Sequence, residues 1–295
     1  MSEQAKSDGF TDQGRKVAAH WSKIVISYDA ALEALNAKGI SAQAASANDL
    51  HAFDMMHMGG LSATDAVASA ADVHEGLRVL DVGCGLGGPA RRFADKFGAN
   101  VWGLELSETL FETARKFTAL VGLSEKVQFA NGSALALPFD DAMFDVVVMQ
   151  HVAMQISEKD RLFAELSRVI RPGGKLAMHE IFSGDGELLY PLAWASEPSM
   201  SALEPFAECT ARLSDLGFEV GGFEDHSDDG RQHHETTAKN LREALSKASG
   251  GQDLTTWSST DASVIAGRLK VADAMASNLR TGSLKVGLVV STKLN

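Results

Sequence analysis

The chain has 295 residues, of which 45% are hydrophobic, enough to bury a full-sized core. Its formal net charge of −12, from 39 acids against 27 bases, repels a phosphate backbone and argues against a nucleic-acid partner. Two distant cysteines, Cys84 and Cys209, give no disulfide framework, and no run of about 18 apolar residues is present to suggest a membrane span.

The polar start "MSEQAKSDGF" lacks an apolar signal core, so a soluble, cytoplasmic protein is expected, with residues 1 to about 14 frayed. From Gly14 to Lys38 one helix is predicted, because Val17, Trp21, Ile24, Val25, Tyr28, Leu32 and Leu35 recur at three- and four-residue steps. "DLHAFDMMHMGG" reads as a short helix or turn, and Ser62 as the cap of another helix. Strands then alternate with helices. The strands are Arg78–Val82, Asn100–Glu105, Val127–Asn131, Asp145–Met149, Lys175–Ile181 and Phe218–Glu224. The helices lie around 89–97, 109–121, 159–170 and 201–216. This alternation predicts a parallel α/β sheet covered on both faces. "SDDG" (Ser227–Gly230) reads as a turn and His233-His234 as part of a solvated loop, followed by helices at about 235–248 and 260–280. The alternating segment "GSLKVGLVVSTKLN" ends the chain as a strand outside the rhythm, suited to antiparallel insertion.

"VLDVGCGLGG" delivers a strand into glycines at a helix start, which anchors a polar ligand through free backbone N–H groups. Gly83, Gly85 and Gly88 fit the dinucleotide spacing; Gly83, Gly85 and Gly87 fit that of an S-adenosylmethionine loop equally well. Asp81 favours the second. A carboxylate there repels a pyrophosphate but attracts an ammonium and a sulfonium. The bland alternative is that Asp81 caps the following helix. Glu105 ends the second strand, where a carboxylate can accept both hydroxyls of a ribose, a feature common to both cofactors.

"VLDVGCGLGGPAR", the acid of "GLELS", "NGSALALPF", "FDVVVMQHV" and "RVIRPGGKLAM", in that order, resemble class I S-adenosylmethionine-dependent methyltransferases over about residues 75–225. The resemblance implies a doubly wound, mostly parallel, seven-stranded Rossmann-like sheet with an antiparallel last strand; the helical stretches outside the strand–helix alternation read as cap elements over it. Residues 1–60 would form an N-terminal helical cap, and 61–295 the cofactor-binding domain with a helical insert at about 225–282. It further implies S-adenosylmethionine as cofactor. Asp81, Gly83, Gly85 and Gly87 would lie around its methionine, Glu105 on the ribose and Leu106 against the adenine. Ser133 and Ala134 would lie at the adenine edge, and Gln150 and His151 beside the methyl donor. Many members carry an acid where Ser133 stands, so adenine N6 recognition here would be weaker or made by the main chain.

"MMHMGGLSATDAVA", "MQHVAMQI" and "YPLAWASEPSMS" are similar to a bacterial branch of sarcosine/dimethylglycine N-methyltransferases. The expectation is methyl transfer to a small soluble metabolite, with that amine as the specific choice. O-, S- or C-methylation of another small molecule is the alternative, and a nicotinamide-dependent oxidoreductase a remote one. His151 is the candidate base or substrate positioner, at the carboxyl end of a central strand. The alternative is a histidine hydrogen-bonded at a helix start. Of His179 and Glu180, strand neighbours, one should face the cleft. Tyr28, His57, Met58 and Trp194 are candidate acceptor residues through cation–π and apolar contact, though Tyr28 also fits a core stripe and Trp194 an interface anchor. No metal site, nucleic-acid partner or membrane partner is expected; a small-molecule acceptor is, and homo-oligomerisation is possible.

Overall fold

A computed structural model describes residues 11–249 and 262–294. The fraying expected for residues 1–14 falls partly outside these residues. Within them it is corrected, because Thr11 caps a helix by accepting from the Gly14 N–H at 3.0 Å.

The chain opens with α1 (Asp12–Ile24), α2 (Tyr28–Ala37), α3 (Ala47–Asp54) and α4 (Gly60–Ala70). The single helix expected from Gly14 to Lys38 is therefore two. The break falls after Ile24, where Val25 is extended and Ser27 turns its hydroxyl onto the Ala30 N–H to start α2. Three successive β-branched residues, Ile24 to Ile26, favour leaving the helix there.

The alternating core follows as β1 (Arg78–Val82), α5 (Gly88–Phe97), β2 (Asn100–Glu105), α6 (Glu108–Leu120), β3 (Val127–Asn131), β4 (Phe144–Gln150), α7 (Lys159–Val169) and β5 (Ile170–Ser183). After β5 come α8 (Phe206–Asp215), β6 (Phe218–Val220), β7 (Glu224–Asp225), α9 (Ser227–Ser249), α10 (Ala262–Thr281) and β8 (Leu284–Lys293). The sheet runs β3-β2-β1-β4-β5-β8-β6, with β7 also on β8. β1 to β5 are mutually parallel, and β8 is antiparallel to β5, β6 and β7. The expected doubly wound sheet with an antiparallel final strand is what forms.

The sixth strand departs from expectation. It is split, with Val220 opposite Ser291 and Glu224 opposite Leu288, so one extra residue bulges out between β6 and β7. "SDDG" is the first turn of α9 rather than a free turn, and α9 runs on through 235–248.

Successive residues of the parallel strands pack into opposite cores. Leu80 and Val147 pack with Leu162, Phe163 and Leu166 of α7. Val79, Val146 and Val148 pack with Phe93 of α5 and Val67 of α4. Phe144 joins the side of Val147 because the β4–β5 register shifts between Phe144 and Val146. The carboxyl ends of β1, β2 and β4 thus converge under α1 and α3. No described helix is long and apolar enough to cross a membrane.

Candidate active site

A cavity of about 260 Å³ opens at those carboxyl ends. One end is built by the glycine loop. Gly83 and Gly85 adopt φ of +70° and +55°, and both line the cavity. Leu104 O accepts from the Gly83 and Cys84 N–H groups at 2.8 and 3.0 Å, folding the loop back onto β2. A Cβ on Gly83 would come within 2.5 Å of Val152, and one on Gly85 within 2.8 Å of Met56. Gly87 differs from expectation: it lies outside the lining, and its φ of +80° serves the start of α5 beside Arg91 and Phe129.

Asp81 is 2% exposed and its Oδ2 has no partner. Burial, then the charge of Glu105, pushes its carboxyl up to about 7, opposed by the Ala90 N–H in the first turn of α5. Glu105 accepts from Gly85 N at 3.0 Å and Ser107 N at 2.8 Å, tying β2 to the loop. Burial pushes it up to about 7 as well. Leu106, Ser133 and Ala134 line the same end. Gln150 lines the cavity with a buried Nε2 that lacks a partner. Orphaned buried polar atoms around a close-walled loop are groups a polar ligand would satisfy.

The other end is lined by His57, Met58, His151, Trp194, His234 and Met275, among others. His151 sits at φ +58°, an uncommon conformation for its residue type. It is held there from both sides. Its N–H donates to His179 O at 3.0 Å. The Val152 and Ala153 N–H groups both donate to Glu180 Oε1, at 2.8 and 3.0 Å. Its Nε2 is buried without a partner, and burial, followed by the neighbouring His179, His57 and His234, holds the ring well below the usual histidine range. His57 contacts Gly60 O at 3.0 Å and Thr64 Oγ1 at 3.1 Å through Nε2, and burial lowers it to about 4.

His179 lies outside the lining, behind His151. Its Nε2 meets His226 Nδ1 at 3.2 Å, and His226 Nε2 meets Glu224 Oε1 at 3.1 Å. An ionised carboxylate only accepts, so His226 presents an N–H at Nε2, the tautomer in which Nδ1 is the acceptor. His179 then donates from Nε2, which leaves its buried Nδ1 as a free lone pair. Burial lowers His179 to about 3, keeping it neutral.

Tyr28 is not brought to the site. Its ring packs 5.6 Å from Phe117 under the Lys116 ammonium, the core-stripe role weighed for it. Glu180 faces away from His179 and acts on the loop after β4. The expectation for His233-His234 is corrected: both lie on α9 and line the cavity, with His234 9% exposed and lowered to about 4 by burial. A signal was present. Gly230, His234 and Ala238 are buried at four-residue steps, so His234 occupies an inward position of a helical stripe. Sequence reading also missed Asp54, Gln155 and Met275 in the lining. Among the described residues no group of three or more His, Cys, Asp or Glu is placed to hold a metal ion.

The sheet order and loop define the class I methyltransferase architecture. Residues 80–178 match a family described as a methyltransferase domain, and this part of the chain is an S-adenosylmethionine-dependent methyltransferase domain. The choice between the two glycine spacings closes accordingly, and the nicotinamide alternative falls. Among curated relatives, a sterol 24-C-methyltransferase of Gibberella zeae is 36% identical over 108 residues, 37% of this chain and 28% of that protein. The chain spans about half or less of the length of the first relatives it matches, 48% and 28% for two of them. A solved structure of a putative sarcosine dimethylglycine methyltransferase from Galdieria sulphuraria aligns with TM-score 0.66 and 19% identity, covering 79% of this chain and 86% of that one. A geranyl diphosphate C-methyltransferase from Streptomyces coelicolor A3(2) aligns with TM-score 0.70 and 15% identity, covering 98% and 100%. At these identities both show likeness of fold.

Proposed function

We propose that the chain transfers a methyl group from S-adenosylmethionine to a small, mainly apolar acceptor that carries one hydrogen-bonding nucleophile and no anionic group. One observation carries this reading. The acceptor end combines Met58, Trp194 and Met275 with neutral imidazoles, and no Lys or Arg is found among the described residues lining the cavity. The sarcosine or dimethylglycine first expected would bring a carboxylate to the acceptor end, where Met58, Trp194 and Met275 give it no partner, a costly arrangement away from water. A diphosphate acceptor meets the same objection more strongly. The name of the sterol-acting relative is in keeping with an apolar acceptor.

Asp81, Gly83, Gly85 and Glu105 would hold the methionine and ribose parts of the cofactor, with Leu106, Ser133 and Ala134 along the adenine and Gln150 near the sulfur. Gly87 would shape the loop without contact. The bound cofactor supplies a methyl group already activated on a sulfonium. The protein's share is alignment and exclusion of water. His151, kept neutral, would take the proton or hydrogen bond of the acceptor, with His57, Met58 and Trp194 enclosing it. His179 would support His151 from behind.

The test is calorimetry with S-adenosylhomocysteine and NAD, followed by turnover on neutral prenols, sterols and phenols beside sarcosine and dimethylglycine. Binding of the first ligand with turnover on neutral acceptors supports the reading. Turnover confined to the amino acids would restore the original substrate choice.

A further inference from the structure

Asp54 closes α3 outside the matched domain, and it lines the cavity. It is 2% exposed, and its two carboxylate oxygens have different surroundings. Oδ2 accepts from Arg91 Nη2 at 2.6 Å. Arg91 itself is 1% exposed and donates also to Leu86 O at 2.7 Å and Thr118 Oγ1 at 2.9 Å, so it locks α3, the glycine loop and α6 together. Oδ1 is buried with no partner.

The position of Oδ1 is set by Gly88. A Cβ there would fall 2.6 Å from both Asp54 Oδ1 and Asp54 O, so only glycine lets α3 approach the point where the loop becomes α5. This is the glycine that created the dinucleotide spacing, and its reason is packing against Asp54. Asp81 Oδ2 is a second orphaned carboxylate oxygen lining the same cavity. One buried guanidinium stands among Asp54, Asp81 and Glu105, so this end of the cavity carries excess negative charge when the acids are ionised. Burial pushes Asp54 up to about 6 in spite of Arg91.

Such a site calls for a cationic donor. An ammonium offers three N–H donors and no lone pair, which matches free carboxylate oxygens. We propose that Asp54 is a cofactor-binding residue: its Oδ1 receives the α-ammonium of S-adenosylmethionine while Arg91 fixes the carboxylate through Oδ2. The inference rests on the cofactor reading above and extends it to a residue of the N-terminal helices.

Calorimetry at pH 8 with two ligands tests it. S-adenosylhomocysteine has the amino-acid tail; 5′-methylthioadenosine has the same nucleoside and thioether without it. Asp54→Asn should weaken the first about tenfold or more, the effect of losing one charge-assisted hydrogen bond, and leave the second within about twofold. Equal weakening of both ligands, or of neither, overturns the proposal. Should Asp54→Asn fail to fold, Asp54→Asn with Arg91→Gln removes the buried cation along with its partner and is read in the same way. Failure of the unaltered protein to bind either ligand would overturn the cofactor reading itself, and the ammonium role with it. Binding of both without selective loss in the variant removes the ammonium role alone.

Discussion

The ring of His151 lies flat against that of His179, with centroids 5.1 Å apart and planes 13° apart. The ring facing the cavity is thus backed by one whose protonation is set by a surface carboxylate two residues further along the chain of contacts. His151→Ala should lower turnover about 100-fold, the scale of a lost general base, while S-adenosylmethionine affinity stays within about twofold. His226→Phe should lower kcat about tenfold with KM unchanged, since it frees the tautomer of His179 without touching the cavity. Steady-state kinetics beside calorimetry reads both, and wild-type turnover in His151→Ala would leave His151 a structural residue.

Glu180 maintains the backbone that presents His151. Glu180→Ala strips the acceptor from two N–H groups and should cost about 2–4 kcal/mol of stability. Glu180→Gln keeps an oxygen for the same pair and should cost under about 1 kcal/mol. Denaturant unfolding compares them. Equal losses in the two variants would mean that the carboxyl does not hold this loop.

Acidity should act on binding and stability in opposite senses. Asp81 and Glu105 titrate near 7 in the folded chain, against ordinary values of 3.8 and 4.5. Between those limits the folded state binds more protons than the unfolded one, so the ligand-free protein loses stability as pH rises from about 4 to about 7. A sulfonium prefers ionised Asp81, so S-adenosylmethionine should bind more tightly as pH rises through 7, by about tenfold between pH 6 and pH 8. Thermal melts without ligand and titrations across that range check the two slopes. Flat binding would remove Asp81 from cation recognition.

Tyr28 gives a control. Tyr28→Ala should cost about 1–2 kcal/mol through its lost packing on Phe117 and leave kcat and KM unaltered. A changed KM would place it at the cavity after all.

The parallel strands were legible because continuous apolar runs bounded by glycine, such as "VLDVGCG", have few other ways to be buried. Asp81 and Glu105 could be placed for the same reason: each ends a strand, and strand ends meet ligands in such sheets. What escaped was made by tertiary contact. Asp54 is an unremarkable acid in the sequence until α3 lies on Gly88, 34 residues further along the chain. Tyr28 fell on the same periodic stripe as Trp21, and both pack on the cluster around Phe117, but after the break before Ser27 only Trp21 reaches the cavity. His234 was hidden by the polarity of its surroundings, which masked a four-residue stripe.

The first helix has a consequence for how the cavity is reached. Gly14, Val17 and Trp21 of α1 line it, yet no α1 residue is fully buried. The helix is fastened by polar links and by one apolar anchor: Trp21 Nε1 donates to Gln155 Oε1, Ser22 and Ser107 share a hydrogen bond at 2.8 Å, Ser157 N donates to Gln13 Oε1 at 3.0 Å, and the Trp21 ring packs against the clusters around Trp194 and around Leu86. Water can replace each of the hydrogen bonds when they part. Parting α1 from the cavity therefore breaks the apolar seat of Trp21 as well as these polar links, while the two cores that flank the parallel strands contain no α1 residue.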